Sequence, residues 1–305
     1  MRMMSSAAAL YDGLLPRVMP IFNLPPLSPG ERALVVGMGG GCDVFAATAI
    51  ARKWKNSSSL STVLFANCIG ERCMPNDHEL LTQCLYRLPP NVTPLVNGKE
   101  GYGTTLLEQS VDPRGDEGSP FLIVVPKDGK SGLPLEQVTS ENVNAVVGAL
   151  DFLNVDSVIA VDLGGDSLTG GVDYEGGSFE FGRDRQVLHA LAASGRKVTQ
   201  LVFGPGCDGE SSIEAMQAAV QAAESSGKLL GVLPLTDELV PEMARMAAPL
   251  SASRTPNVLA RAAAHVAEAA GHDQAAPPLC VIERHGQRAE IPWSWLTVGL
   301  ALKCD

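Results

Sequence analysis

Short apolar runs recur along the chain between Pro, Gly and Asp residues, and several of them are rich in Val, Ile and Leu. Runs of this kind are typical of strands that are buried on both faces of a parallel sheet. The strands predicted in this way are Ala33–Val36, Ser61–Ala66, Phe121–Val125, Ser157–Val161, Lys197–Phe203 and Leu229–Leu233.

Helical patterns alternate with these strands. The predicted helices are Val44–Lys55, Asp77–Leu88, one from Thr139 or Ser140 to Leu153, one beginning near Arg183, one capped by Ser211 or Ser212 and ending near Ser225, Thr236–Ala247, Thr255–Ala270 and a closing helix Trp293–Leu302. Residues 279–283 and 288–291 suggest a hairpin around His285 and Gly286. This alternation predicts an α/β fold with a three-layer, mostly parallel, Rossmann-like sheet covered by helices on both faces.

The domain organisation expected from the pattern is simple. Residues 1–30 form an N-terminal arm and residues 31–305 a single α/β domain, in which the Gly-, Pro- and Asn-rich stretch 89–120 serves as a surface flap. The 305 residues and their 45% hydrophobic content are sufficient to bury a full core.

Charge narrows the class of partner. The net charge is -11 and no Lys/Arg cluster occurs, which disfavours nucleic acid and anionic membranes and favours a small-molecule ligand. No apolar run reaches the roughly 20 residues of a membrane span. Seven scattered cysteines suit a reducing compartment and predict a cytoplasmic protein, with an organelle-targeted N-terminus as the alternative. Whether the chain forms a homo-oligomer is left open.

The first of three glycine-rich loops follows the first predicted strand and holds Gly39, Gly40, Gly41, Cys42 and Asp43. Strand, glycine turn and helix together resemble a dinucleotide fingerprint, whose backbone amides bind phosphate at a helix N-terminus. Cys42 stands where that fingerprint requires glycine, and Asp43 brings a carboxylate to the amides. The loop therefore predicts an anion- or ligand-binding turn, unless Asp43 simply caps its own helix.

The second loop, Asp162 to Glu175, follows the central strand and supplies several carboxylates and hydroxyls. Hard oxygen ligands of this kind suit Mg²⁺ or Mn²⁺ holding a phosphate, although a solvated acidic loop has a similar composition. Repulsion among the acids would be relieved by a cation, by the N–H groups of Gly164 and Gly165, or by Arg183 and Arg185.

The third loop, Gly204 to Glu210, repeats the arrangement after the next strand, with Gly206, Asp208 and Glu210 leading into a helix. Ligands of open α/β sheets bind outside the carboxyl ends of the strands. We therefore expect Asp43, Asp162, Asp166 and Asp208 to meet at one edge of the sheet. Asp162, Asp166 and Asp208 are the predicted metal ligands and catalytic residues.

The three motifs GGGCD (39–43), DLGGDSL (162–168) and GPGCDGE (204–210) resemble those of the DUF1152 family. The resemblance extends from about Glu31 to the last helix. It implies no activity, substrate or catalytic residue, so the function has to be argued from the residues themselves.

The leading functional hypothesis is an enzyme that binds a phosphorylated metabolite or nucleotide with Mg²⁺ or Mn²⁺ and catalyses hydrolysis or group transfer. The glycines at positions 39–41, 164, 165 and 206 would donate backbone hydrogen bonds to the ligand, Asp43 and Glu210 would line it, and Arg183 and Arg185 would balance its charge. One alternative is a non-catalytic sensor or scaffold that closes residues 89–120 over the same ligand. Another is an NAD(P)-binding dehydrogenase-like protein.

Overall fold

The computed structural model describes residues 13–39, 41–56, 61–71, 78–88, 121–127, 131–171, 179–235, 238–248, 250–269, 279–284 and 287–304. The predicted flap 89–120 lies outside these residues. The strands are β1 (Arg32–Gly37), β2 (Thr62–Gly70), β3 (Glu79–Leu80), β4 (Leu85–Arg87), β5 (Phe121–Val125), β6 (Ser157–Leu163), β7 (Lys197–Phe203), β8 (Leu229–Pro234), β9 (Leu279–Arg284), β10 (Gln287–Pro292) and β11 (Val298–Lys303). The helices are α1 (Asp43–Asn56), α2 (Leu135–Phe152), α3 (Asp166–Thr169), α4 (Arg183–Ala193), α5 (Ile213–Ser225), α6 (Leu239–Met246) and α7 (Thr255–Ala269).

A large, mostly parallel sheet forms the centre of this α/β protein. Its strand order is β3-β4-β5-β2-β1-β6-β7-β11-β8. The five strands from β5 to β7 pair in parallel, whereas β4, β3 and β11 pair antiparallel to their neighbours. The parallel strands β1, β5 and β6 are almost entirely buried, as expected for a sheet whose faces are covered.

Two predicted helices are wrong. Residues 78–88 form β3 and β4 instead of the helix predicted for Asp77–Leu88, because β4 satisfies the open edge of β5 by pairing Leu85 with Ile123. The predicted closing helix Trp293–Leu302 is a short 3₁₀ turn at Trp295–Thr297 followed by β11. β11 completes the sheet between β7 and β8, where Leu300 lies opposite both Val202 and Val232.

Most other elements agree with the sequence pattern. The paired strands β9 and β10 confirm the predicted hairpin, and Ser212 caps α5 by accepting a hydrogen bond from the N–H of Ala215. α2 begins at Leu135, with Pro134 at its N-cap, and so starts earlier than the predicted cap at Thr139 or Ser140.

The N-terminal arm, as far as the structure describes it, packs against β8. The N–H of Phe22 donates to the carbonyl of Val232, and the N–H of Val232 donates to the carbonyl of Pro20. Leu14 and Met19 are buried in the core.

Candidate metal and anion site

The carboxyl ends of three adjacent strands define the position of the site. Gly37 at the end of β1 lies opposite Asn67 of β2 on one side and Val161 of β6 on the other. Side chains that follow these positions therefore meet at one edge of the sheet. Three of them, Asp43, Asp162 and Asp184, place carboxylate oxygens within 4.8 Å of one another.

Asp43 is the first residue of α1, and its side chain connects two strand ends. One carboxylate oxygen accepts the N–H of Gly39 at 2.6 Å, and the other accepts the N–H of Leu163 at 3.0 Å. Asp43 is only 6% exposed, and its carboxylate lies against β6. Its contacts thus extend well beyond the N-cap of its own helix.

Asp162 is fully buried near the end of β6 and is held by the loop that follows it. Its Oδ1 accepts the N–H of Gly165 at 3.1 Å, while its Oδ2 accepts the N–H of Ser167 at 3.2 Å and the hydroxyl of the same residue. Gly165 has φ +104°, a conformation that favours glycine and lets the loop fold back over the carboxylate.

Asp184 lies in the first turn of α4, and its carboxylate faces the loop after β1. A Cβ atom at Gly39 would lie 2.7 Å from Asp43 Oδ2 and 3.1 Å from Asp184 Oδ2, so a glycine is what lets both carboxylates approach this loop. The Oδ2 atom of Asp184 is buried and has no hydrogen-bond partner among the described residues.

Burial and mutual repulsion dominate the electrostatics of these carboxyl groups. Burial raises the pKa of both Asp162 and Asp184 well above the ordinary value, and the nearby charges of Asp166 and Asp43 raise it further. Neither Asp162 nor Asp184 forms an ion pair with Lys or Arg within the described part of the chain. A proton or a cation has to relieve this repulsion.

Asn67 adds a second buried polar side chain for which the described residues offer no hydrogen-bond partner. Its side chain is fully buried, and neither its Oδ1 nor its Nδ2 has a hydrogen-bond partner within the described ranges. The amide lies directly over Gly37, where a Cβ atom would collide with the amide oxygen. Buried polar groups normally find partners, so two such groups beside the carboxylates fit a site that binds a polar or charged ligand.

A cavity of about 50 Å³ opens next to the carboxylates and carries both signs of charge. Acidic side chains line it through Asp166, Asp184 and Glu210, and basic ones through Arg183 and Arg185. It is large enough for more than one water-sized group.

The two arginines differ in the contacts that they make with the rest of the protein. The guanidinium of Arg183 lies over Gly70, at 3.4 Å from where a Cβ would be, and makes no hydrogen bond or ion pair within the described residues. Arg185 contacts Glu180 at 3.4 Å and lies over the ring of Phe179, with 4.9 Å between its Cζ and the ring centroid. Arg183 is therefore the arginine more available to an anion.

The remaining predicted acidic residues lie around the three central carboxylates. Asp166 is partly exposed, lines the cavity and is electrostatically coupled to both Asp162 and Asp184. Asp208 is buried against Gly164, where a Cβ atom would come within 2.7 Å of the Asp208 Cβ, and it accepts the N–H of Glu210 at 3.0 Å.

The glycines predicted as backbone donors are mostly engaged within the protein. The N–H groups of Gly39 and Gly165 donate to Asp43 and Asp162, that of Gly164 to the carbonyl of Phe203, and that of Gly206 to the carbonyl of Gly164. Gly41 has open space around it, and Gly40 lies outside the described residues. These glycines mainly shape the loops around the acids.

Asp184 and Asn67 were missed as site residues by the sequence interpretation. Asp184 stands between Arg183 and Arg185 just after Gly182, the same arrangement of glycine and acid at a helix start that drew attention to Asp43. Asn67 could not be identified from the sequence, because its position opposite Gly37 depends on the register of β1 and β2.

The geometry thus defines an α/β protein with a buried carboxylate cluster at the carboxyl edge of its parallel strands. A family model described as "Protein of unknown function (DUF1152)" matches residues 125–269, which confirms the resemblance seen in the motifs over that stretch. The matched stretch includes Asp162 and Asp184, whereas Asp43 and the GGGCD motif lie before it. No curated protein matches the chain. None of the described helices is long and apolar enough to cross a membrane.

Proposed function

We propose that this protein is an enzyme that binds a phosphorylated small molecule together with Mg²⁺ or Mn²⁺ and catalyses its hydrolysis or group transfer. Asp43, Asp162 and Asp184 would hold the cation, with Asp166 at the rim of the site. Arg183, assisted by Arg185, would bind the anionic group of the ligand.

The convergence of three buried carboxylates is the observation that carries this proposal. Carboxylate oxygens are the ligands preferred by these hard cations, and Mg²⁺ is commonly held by one or two carboxylates and substrate phosphates. Asp184 Oδ2 and the Asn67 amide, which have no hydrogen-bond partner among the described residues, both lie near Asp43 and are independent indications of a ligand. A bound cation would neutralise charge that develops on a phosphoryl oxygen.

The arrangement around Asp43 argues against the dehydrogenase-like alternative. Its carboxylate already accepts the Gly39 N–H, an amide in the turn where a dinucleotide pyrophosphate would bind. We further propose that the sheet is Rossmann-like, because its parallel strands have the order β5-β2-β1-β6-β7, which corresponds to the order 3-2-1-4-5 of a doubly wound sheet.

Metal binding is tested first by thermal unfolding of the purified protein with MnCl₂ or MgCl₂ after treatment with EDTA. Ligand at about a hundredfold excess over its Kd stabilises a protein by roughly 2.7 kcal/mol, or about 4 °C for a chain of this size. We expect this increase for the wild type and its loss in Asp184→Asn, whereas Asp208→Asn, outside the carboxylate cluster, should keep it.

Glu214→Gln serves as the charge-matched control. Glu214 is exposed and lies in the first turn of α5, away from the cluster. Equal metal-induced shifts in wild type and Asp184→Asn would contradict the proposed ligand set. Loss of the shift in Asp208→Asn alone would instead favour the set predicted from the sequence.

Turnover is tested with 4-nitrophenyl phosphate and a panel of nucleotides and sugar phosphates in Mn²⁺. We expect product release by the wild type, its loss in Asp184→Asn, and a reduction in Arg183→Gln without loss of Mn²⁺ binding. Stabilisation by these compounds without any turnover would support a ligand-binding sensor instead.

A further inference from the structure

A groove of about 420 Å³ runs between α4 and α5 over β7 and β11. Its lining combines polar and basic side chains with apolar ones, the latter including Leu168, Leu188, Leu302 and several alanines of the two helices. Along α4 it extends from Arg185 to Ala192, which is about 10 Å at 1.5 Å per residue. Its volume is within the range of pockets that hold small organic molecules.

The groove begins where the metal and anion site ends. Phe179 and Arg185 line both cavities, and the arginine lies over the ring. A molecule bound by Arg183 and Arg185 could therefore continue past Phe179 into the groove without crossing the protein interior.

A hydrogen-bonded chain also connects a polar residue of the groove with the carboxylate cluster. Gln200 of β7 lines the groove and donates from its Nε2 to the hydroxyl of Ser167 at 2.7 Å. That hydroxyl in turn donates to Asp162. The position of the Gln200 amide and the orientation of Asp162 are thus coupled.

The charged groups of the groove are basic, although the protein as a whole has a net charge of -11. Arg185, His189, Lys228 and Lys303 line it, and no acidic side chain does so within the described residues. Glu180, which contacts both Arg185 and His189, is the acidic group that faces this end. The combination of an apolar floor and a basic rim is complementary to an anionic organic molecule.

We propose that this groove binds the organic part of the same ligand, so that the substrate is a phosphate ester of a mainly apolar or aromatic group about 10 Å long. This inference rests on the proposed function, because it assigns the phosphoryl group to the site at Arg183. It adds the class of the group that the phosphate carries.

The test measures the Kd of methylphosphonate, phenylphosphonate and 1-naphthylphosphonate by calorimetry in saturating Mn²⁺. Phosphonates contain no ester bond, so hydrolysis cannot disturb the measurement. Burying the naphthyl ring should tighten binding at least about tenfold relative to methylphosphonate, since each buried methylene-sized group contributes severalfold.

A matched pair of alanines on α5 localises the effect. Ala222 lines the groove and Ala218 does not, and both are exposed on the same helix. Ala222→Trp should reduce the preference for the naphthyl ligand to less than about threefold and leave the Kd of methylphosphonate unchanged, whereas Ala218→Trp should keep the full preference. Ala192→Trp and Ala193→Trp on α4 repeat the comparison should Ala222→Trp fail to fold.

Each contrary result has a distinct meaning. If methylphosphonate binds but the naphthyl ligand binds no more tightly, the groove proposal is wrong and the proposed function stands. If naphthylphosphonate binds equally well to Arg183→Gln, the groove is a separate site and the proposed continuity is wrong. If no phosphonate binds, the phosphate-binding function itself fails, and the inference with it.

Discussion

The carboxylate of Asp184 illustrates how a single residue stores an unfavourable interaction at this site. It is buried beside Asp43 and Asp162, and one of its oxygens has no described partner. An arrangement of this kind costs stability in the absence of a compensating ligand, and functional sites are where such costs are commonly retained. Asp184 differs in this respect from Asp162, whose carboxylate is satisfied by Gly165 and Ser167.

We therefore predict that, without metal, the Asp184→Asn variant is more stable than the wild type, and that this difference grows as pH rises. Burial holds the pKa of this carboxyl above that of the unfolded chain, so the folded protein binds the proton more tightly and loses stability as pH increases between the two values. The neutral amide removes that loss. In EDTA, the midpoint of thermal unfolding of Asp184→Asn should exceed that of the wild type by roughly 2 °C or more at pH 8, and by less at pH 5.

The control for this comparison is Glu214→Gln, whose difference from the wild type should not change with pH in the same direction. A variant Asp184→Asn that is less stable than the wild type at pH 8 in EDTA would show that the carboxylate is well accommodated as it stands.

Residues whose role depends on local sequence were predictable at this scale, and residues whose role depends on tertiary register were not. Asp43 and Asp162 each follow a buried strand, which is enough to direct attention to them. Asn67 gains its position only from the pairing of β2 with β1, and Asp184 only from the packing of α4 against α2 and β2. No spacing in the sequence reports those distances.

At the scale of elements, the loop between β1 and α1 determines how closely the carboxylates approach one another. Gly39 lies against Asp43 and Asp184, whereas a Cβ at Gly41, two residues later, would have open space. Neither glycine has the positive φ that would strain a side chain by itself. The two positions therefore separate a steric effect on the site from a general effect on the loop.

We predict that Gly39→Ala weakens Mn²⁺ binding at least about tenfold, because its methyl group would displace the carboxylates of Asp43 and Asp184. Gly41→Ala should bind Mn²⁺ as the wild type does. Calorimetric titration of both variants with MnCl₂ measures the difference, and circular dichroism verifies that each retains its fold. Identical Kd values for the two variants would mean that Gly39 does not position these acids.

The secondary-structure elements could be predicted where the spacing of hydrophobic residues fitted only a helix or only a strand. β1, β6 and β7 are short runs buried on both faces, and their sequences show this directly. β4 and β11 were mistaken for parts of helices because their short apolar stretches fit either period. The unsatisfied edge of β5 and the space between β7 and β8 decide their structure, and both are properties of the assembled sheet.

At the scale of the whole molecule, β11 lies in the sheet next to β7, which in turn neighbours β6, one of the three strands whose ends define the site. It pairs with β7 and with β8, and Leu300 is fully buried within both pairings.

We predict that Leu300→Ala lowers the free energy of unfolding by about 2–5 kcal/mol through the cavity it creates. Leu230→Ala on the neighbouring β8 should cost less than about 1 kcal/mol, because Leu230 is 38% exposed. Urea denaturation followed by both tryptophan fluorescence and circular dichroism measures these values. Coincident transitions at a lower midpoint in Leu300→Ala would show that β11 belongs to the same cooperative unit as the parallel strands, whereas a loss equal to that of Leu230→Ala would show that it does not support them.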